Sequence, residues 1–118
     1  MAAQKLHSFT ETTLPAKRET PLNWKPLGDV IIEEIRWTGA PLDELSLVSI
    51  YEGRVSLTVG GGGIPVTMFS KAHGAPLSAT IGGTITRPLS HLVVLTFLLL
   101  NQSKNDEPAD LELWGTYV

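Results

Sequence analysis

The chain has 118 residues, 42% hydrophobic and only 18% charged, with no cysteine and a formal net charge of −3. That length makes one domain of ordinary size, able to bury roughly two thirds of its unfolded surface. The missing cysteines exclude a disulfide framework and thiolate metal sites, and a weak negative charge argues against direct nucleic-acid binding, which needs cations for the phosphates.

Residues 1–23 carry Thr10, Thr12, Thr13, Pro15 and Pro21 and sustain neither a helical nor a strand period. They read as an extended N-terminal arm before a core of residues 24–118, with a short strand near Leu6–Phe9 as a local alternative. The arm is slightly basic, with Lys5, Lys17 and Arg18 against Glu11 and Glu19. It lacks the apolar stretch of a signal peptide. The longest apolar run, Leu92 to Leu100 with Thr96 inside it, is far too short to span a membrane. A soluble, intracellular protein with no membrane partner is expected.

Val30 to Trp37 is rich in β-branched and aromatic residues and is punctuated by Gly28 and Gly39, which predicts a strand. A helix placing Ile31, Ile32 and Ile35 on one face is the alternative. After the turn Gly39-Ala40-Pro41, Leu45–Tyr51 runs into Glu52-Gly53, and Val55, Leu57 and Val59 then alternate with Ser56 and Thr58. Two such runs with glycine between them predict a tight hairpin. Gly60–Gly63 reads as a loop, because Ile64-Pro65 follows where a phosphate-binding loop needs lysine and a helix. Further strands are expected at Ile64–Phe69, Ser78–Ile81, Thr84–Thr86, His91–Asn101 and Leu111–Val118, with residues 102–110 as a polar connection.

The run from His91 to Asn101 is apolar on both faces, with Leu92, Val94, Leu98 and Leu100 on one and Val93, Leu95, Phe97 and Leu99 on the other. One face packs the core; the other requires a second sheet or a neighbouring subunit. A chain this short of charge favours the subunit, so Leu92, Val94, Leu98 and Leu100 are the expected interface of a homo-oligomer. Seven or eight short strands with Gly/Pro turns predict an all-β sandwich, jelly roll or barrel.

Catalytic and cofactor chemistry finds little support. His7, His73 and His91 lack metal-ligand spacing. Ser90-His91 are sequence neighbours, whereas a nucleophile and its base normally meet across the fold. Neighbouring carboxylates such as Glu33-Glu34 and Asp43-Glu44 point to opposite faces of a strand and read as solvated charge. Trp24, Trp37 and Trp114 read as core or interface aromatics. Asn101-Gln102-Ser103 matches a glycosylation acceptor, which requires a secretory route to matter. The chain is therefore expected to be no enzyme and to need no cofactor. Its acids are grouped: residues 29–53 hold six carboxylates against Arg36 alone, and residues 101–118 hold four against Lys104. Any electrostatic partner should be basic.

Three stretches resemble the core domain of the nucleoplasmin family of histone chaperones. The first runs from Val30–Trp37 through Gly39-Ala40-Pro41 and Asp43-Glu44-Leu45 to Tyr51-Glu52-Gly53. The second is Ile64-Pro65-Val66-Thr67-Met68. The third is Pro76-Leu77-Ser78-Ala79-Thr80-Ile81-Gly82-Gly83-Thr84-Ile85-Thr86-Arg87-Pro88, ahead of the long apolar strand. The resemblance implies an eight-stranded jelly-roll sandwich forming a pentameric ring in the nucleus. It would bind basic proteins such as histones through Glu33, Glu34, Asp43, Glu44, Asp106, Glu107 and Asp110. The sequence departs from the family in lacking a long acidic tract and in its slightly basic arm. A structural jelly roll of the viral coat or assembly type, without chaperone activity, is the alternative.

Overall fold

The computed structural model describes residues 3–39, 43–58, 63–71, 76–80 and 87–118. The strands are β1 (Gln4–Leu14), β2 (Arg18–Trp24), β3 (Val30–Trp37), β4 (Leu45–Glu52), β5 (Val55–Thr58), β6 (Ile64–Pro65), β7 (Ser70–Lys71), β8 (Leu77–Thr80), β9 (Leu95–Asn101) and β10 (Glu107–Tyr117). A single 3₁₀ turn, Val66–Met68, is the only helical element among the described residues. Gly60–Gly62, His73 and the Ile81–Thr86 part of the third resembling stretch lie outside the described residues.

The strands form two packed antiparallel sheets. Sheet A has the order β1-β10-β3-β8-β7; sheet B has the order β2-β9-β4-β5, with β6 also on β4. Among the described residues there are ten strands where eight were expected, and β6 and β7 are only two residues each. The chain pairs as a long folded hairpin: β1 with β10, β2 with β9, β3 with β8 and β4 with β5. Alternate pairs go to alternate sheets, so six of the nine connections between consecutive strands pass from one sheet to the other.

The core lies between the sheets. Ile32, Ile35 and Trp37 from β3 and Leu111 and Leu113 from β10 meet Leu47 and Ile50 from β4 and Leu95, Phe97 and Leu99 from β9. At ~25 cal/mol per Å² of apolar surface removed from water, this burial is the main stabilising contribution. The predicted β4–β5 hairpin forms, but its two-residue turn is Gly53-Arg54, one residue later than the expected Glu52-Gly53, because Glu52 still pairs with Val55. Gly53 has φ +62° there, which its lack of a Cβ permits.

Four expectations need correction. Ile64–Phe69 is not one strand: only Ile64–Pro65 pairs, with β4, and Val66–Met68 turns as a 3₁₀ helix that buries Val66. Residues 1–23 are not a separate arm: β1 is the edge of sheet A and β2 the edge of sheet B, and Phe9, Leu14 and Leu22 are buried in the core. The strand pattern is hidden because β1 shifts register between Lys5 and His7 and again between Phe9 and Thr12, breaking the period of two. The last strand begins at Glu107 rather than Leu111, because the extended β1 gives Glu107–Ala109 a partner in Thr12–Leu14. The long strand begins at Leu95, not His91; residues 91–94 form a bent segment tied down by hydrogen bonds.

His7 spans the side of the sandwich where the edge strands meet. It stacks on Trp24 of the opposite sheet, ring centroids 5.2 Å apart, and meets Phe9 edge-on at 4.6 Å. Partial burial holds its pKa below the ordinary histidine value.

Candidate functional site

The two outer faces differ in chemistry. On sheet A, register places Lys5, Glu112, Trp114, Arg36 and Glu34 side by side. The Arg36 guanidinium lies 3.8 Å above the Trp114 ring, a cation–π contact. Arg36 pairs with Glu34 at 3.2 Å, Trp114 Nε1 donates to Glu112 at 2.9 Å, and Lys5 lies 4.0 Å from Glu112. Burial pushes the Glu34 carboxyl up, but hydrogen bonds from Arg36 and Ser78 outweigh it and hold the group below its usual range.

Sheet B carries almost no charge outside. Along β9, Leu95, Phe97, Leu99 and Asn101 point inward, so Thr96, Leu98 and Leu100 face out, each half-buried. Leu98 lies between Pro21 and Ser49, Leu100 between Glu19 and Ser46, and Thr96 between Asn23 and Tyr51. Val48, the extra residue of a bulge in β4, is half-buried beside them. Glu19, on the edge strand, is the one charged side chain on this face among the described residues. Of the four expected interface residues, Leu98 and Leu100 lie on the face, whereas Leu92 and Val94 lie beyond the strand and are exposed.

The ends of the sandwich differ as well. At one end, the β1–β2 turn, the start of β4 and the 102–106 connection meet: Gln102 N–H donates to the Glu44 carbonyl at 2.9 Å, Ala16 N–H to Asp106 at 3.0 Å, and Lys17 Nζ to the Gln102 carbonyl at 2.7 Å. Five expected acids, Asp43, Glu44, Asp106, Glu107 and Asp110, gather there because β4, β9 and β10 begin or end together. Lys17, Arg18 and Lys104 share this end and partly neutralise it. Glu33 and Glu34 are not part of the group. Glu33 is the exposed bulge residue of β3, and Glu34 is occupied by Arg36.

Sequence reasoning missed the arrangement at the opposite end. Residues 87–94 cross from sheet A to sheet B there: Val30 and Leu89 exchange two backbone hydrogen bonds, and Gly53 N–H donates to the Val94 carbonyl at 3.0 Å. Two carboxylates hold the crossing. Glu52 accepts both terminal nitrogens of Arg87 and, at 2.8 Å, the Ser90 N–H. Asp29 accepts the His91 N–H at 3.0 Å and lies 2.7 Å from His91 Nδ1. The His91 bonds hold the Asp29 carboxyl below its ordinary value, and Arg87 does the same for Glu52. Ser90 Oγ accepts from Leu92 N–H at 3.0 Å, which helps to fix the bend of the loop. The signal for it is the polar triplet Arg87, Ser90, His91 before an apolar strand, but its acids lie 35 or more residues away in the chain.

Comparison with protein-family models, with curated proteins and with solved structures finds no match to this chain. Its surfaces therefore carry the functional argument. Among the described residues no group of three or more histidine, cysteine or acidic side chains is placed to hold a metal ion, and no helix is long and apolar enough to cross a membrane. Asn101, the glycosylation-type asparagine, is fully buried and hydrogen-bonded.

Proposed function

We propose that the chain is a jelly-roll assembly subunit that associates with copies of itself through the outer face of sheet B. The jelly-roll assignment rests on strand order. Leaving aside the two-residue β6 and β7, eight strands remain, ordered β1-β10-β3-β8 and β2-β9-β4-β5, the order obtained by rolling up an antiparallel hairpin of four strand pairs.

The self-association reading is carried by one contrast: sheet A covers its outer face with a charged, internally paired ladder, whereas sheet B leaves Leu98 and Leu100 at the centre of a face whose one described charge is Glu19 on its edge strand. A stable interface hides roughly 800 Å² on each partner. In such a contact the two leucines form the dry centre, with Val48, Tyr51 and Pro21 around them. Leu98→Glu should convert an oligomer to a monomer at micromolar concentration, measured by light scattering, while leaving the thermal unfolding midpoint of the subunit nearly unchanged. A wild-type protein that is already monomeric there, or an L98E variant of unchanged mass, overturns the proposal.

A second reading, the nucleoplasmin-like chaperone, is favoured by the five carboxylates gathered at one end. In a pentameric ring those ends repeat around one rim and would attract basic proteins such as histones in the nucleus. Each exposed charge contributes little alone, and Lys17, Arg18 and Lys104 reduce the field. Histone binding should weaken steeply as salt is raised and fall further in an Asp43→Lys/Glu44→Lys variant, as read by titration. Binding indifferent to both changes counts against this reading.

A further inference from the structure

Six of the seven large hydrophobic side chains that stand exposed among the described residues lie at the end of the sandwich that holds Asp29 and Glu52. They are Leu27, Val55, Leu92, Val94, Tyr117 and Val118, with Leu27 93%, Val118 75% and Leu92 74% exposed. Topology gathers them. Leu27 sits in the β2–β3 connection, Val55 opens β5 after the hairpin turn, and Leu92 and Val94 ride on the crossing segment. Tyr117 pairs with Val30 at the end of β10, and Val118 N–H donates to the Asp29 carbonyl at 2.9 Å. A patch this concentrated on a small chain marks an interaction surface.

The charges around the patch indicate the partner. Lys25 and Arg54 are exposed, next to Leu27 and Val55, and have no carboxylate partner among the described residues. The two acids at this end are both engaged, Asp29 by His91 and Glu52 by Arg87 and the Ser90 N–H. Apolar tips from separate connections are thus flanked by two unpaired cations, while both carboxylates are hydrogen-bonded within the crossing segment. That combination suits a layer whose interior is apolar and whose surface is anionic. We propose that this end of the sandwich docks on a lipid surface carrying anionic headgroups. Leu27 and Leu92 enter the acyl boundary, Lys25 and Arg54 meet the headgroup phosphates, and Tyr117 lies at the interface with its ring buried and its hydroxyl wet. Docking of this kind needs no spanning segment and is independent of the contact through sheet B.

The test is co-sedimentation of the whole chain with phosphatidylcholine vesicles and with vesicles containing about a third phosphatidylserine. Wild type should pellet with the anionic vesicles and remain mostly soluble with the neutral ones. Leu27→Asp/Leu92→Asp should lower the partition about tenfold or more, and Lys25→Glu/Arg54→Glu should abolish the preference for phosphatidylserine. Both variants change exposed residues, and matching thermal unfolding curves establish that they are folded. A wild-type chain that stays in the supernatant with both vesicles overturns the proposal, as does an L27D/L92D variant that binds as well as wild type. A fall in solution mass in L27D/L92D without vesicle binding by wild type also overturns it, assigning the patch to contact between copies.

Discussion

Phe97→Ala should destabilise the fold by about 3–5 kcal/mol, the largest effect expected of any single substitution proposed for this chain. Phe97 lies at the middle of β9, the second strand of sheet B, and is fully buried. Its ring stands 5.9 Å from that of Phe9 on the edge strand of sheet A, and its register neighbours are Leu22 and Ile50. Truncation removes the transfer free energy of a whole ring and leaves a cavity between two sheets whose backbones are fixed by their ladders. Against a total stability of about 5–15 kcal/mol for a domain of this kind, such a loss leaves the protein marginal. Urea denaturation checks it: the midpoint should fall sharply with little change in slope. A loss below about 1 kcal/mol would mean that the sheets close over the gap and that Phe97 is not a packing centre.

Asn101→Leu should cost about 3 kcal/mol, although it exchanges a polar side chain for an apolar one of similar size. Asn101 is fully buried at the end of β9. Its amide nitrogen donates to the Leu14 carbonyl at 3.0 Å and the Asn105 carbonyl at 2.9 Å, and its oxygen accepts the Ser103 N–H at 2.9 Å. Leucine satisfies none of these groups, and each buried orphan costs about 1–3 kcal/mol, less where the loop opens to water. The network joins the end of β1 to the 102–106 connection, so its loss also loosens Asp106 and Glu107. Hydrogen exchange should show the Ser103 amide losing protection together with the drop in denaturation midpoint. Unchanged exchange at Ser103 would show that the bond is not a support of the loop.

The sequence was most legible where a run of β-branched, aromatic or alternating residues is bounded by turn glycines. Val30–Trp37 and the β4–β5 hairpin follow from their residue types and turn glycine, and both form. The alternation of Leu95, Phe97 and Leu99 with Thr96, Leu98 and Leu100 was readable. Leu92 and Val94 continued that pattern in the chain but not in space. Asp29, 62 residues before His91, holds the segment in a bend, and a distant hydrogen-bond partner leaves no local mark on the sequence. The first 23 residues failed for a related reason. The register shift between Phe9 and Thr12 in β1 displaces Phe9 and Leu14 from a common period, although both are core residues.

Composition and local pattern determined by themselves that this is an all-β chain without disulfides. They could do so because hydrophobic alternation and turn chemistry act between near neighbours in the chain. Tertiary structure alone decided which surfaces emerged: five acids at one end, six exposed apolar side chains at the other, and one sheet face rich in charge against one carrying little. Those groupings depend on pairings such as β1 with β10 and Asp29 with His91, which join residues far apart in sequence through backbone ladders and hydrogen bonds whose partners could not be read from either strand alone.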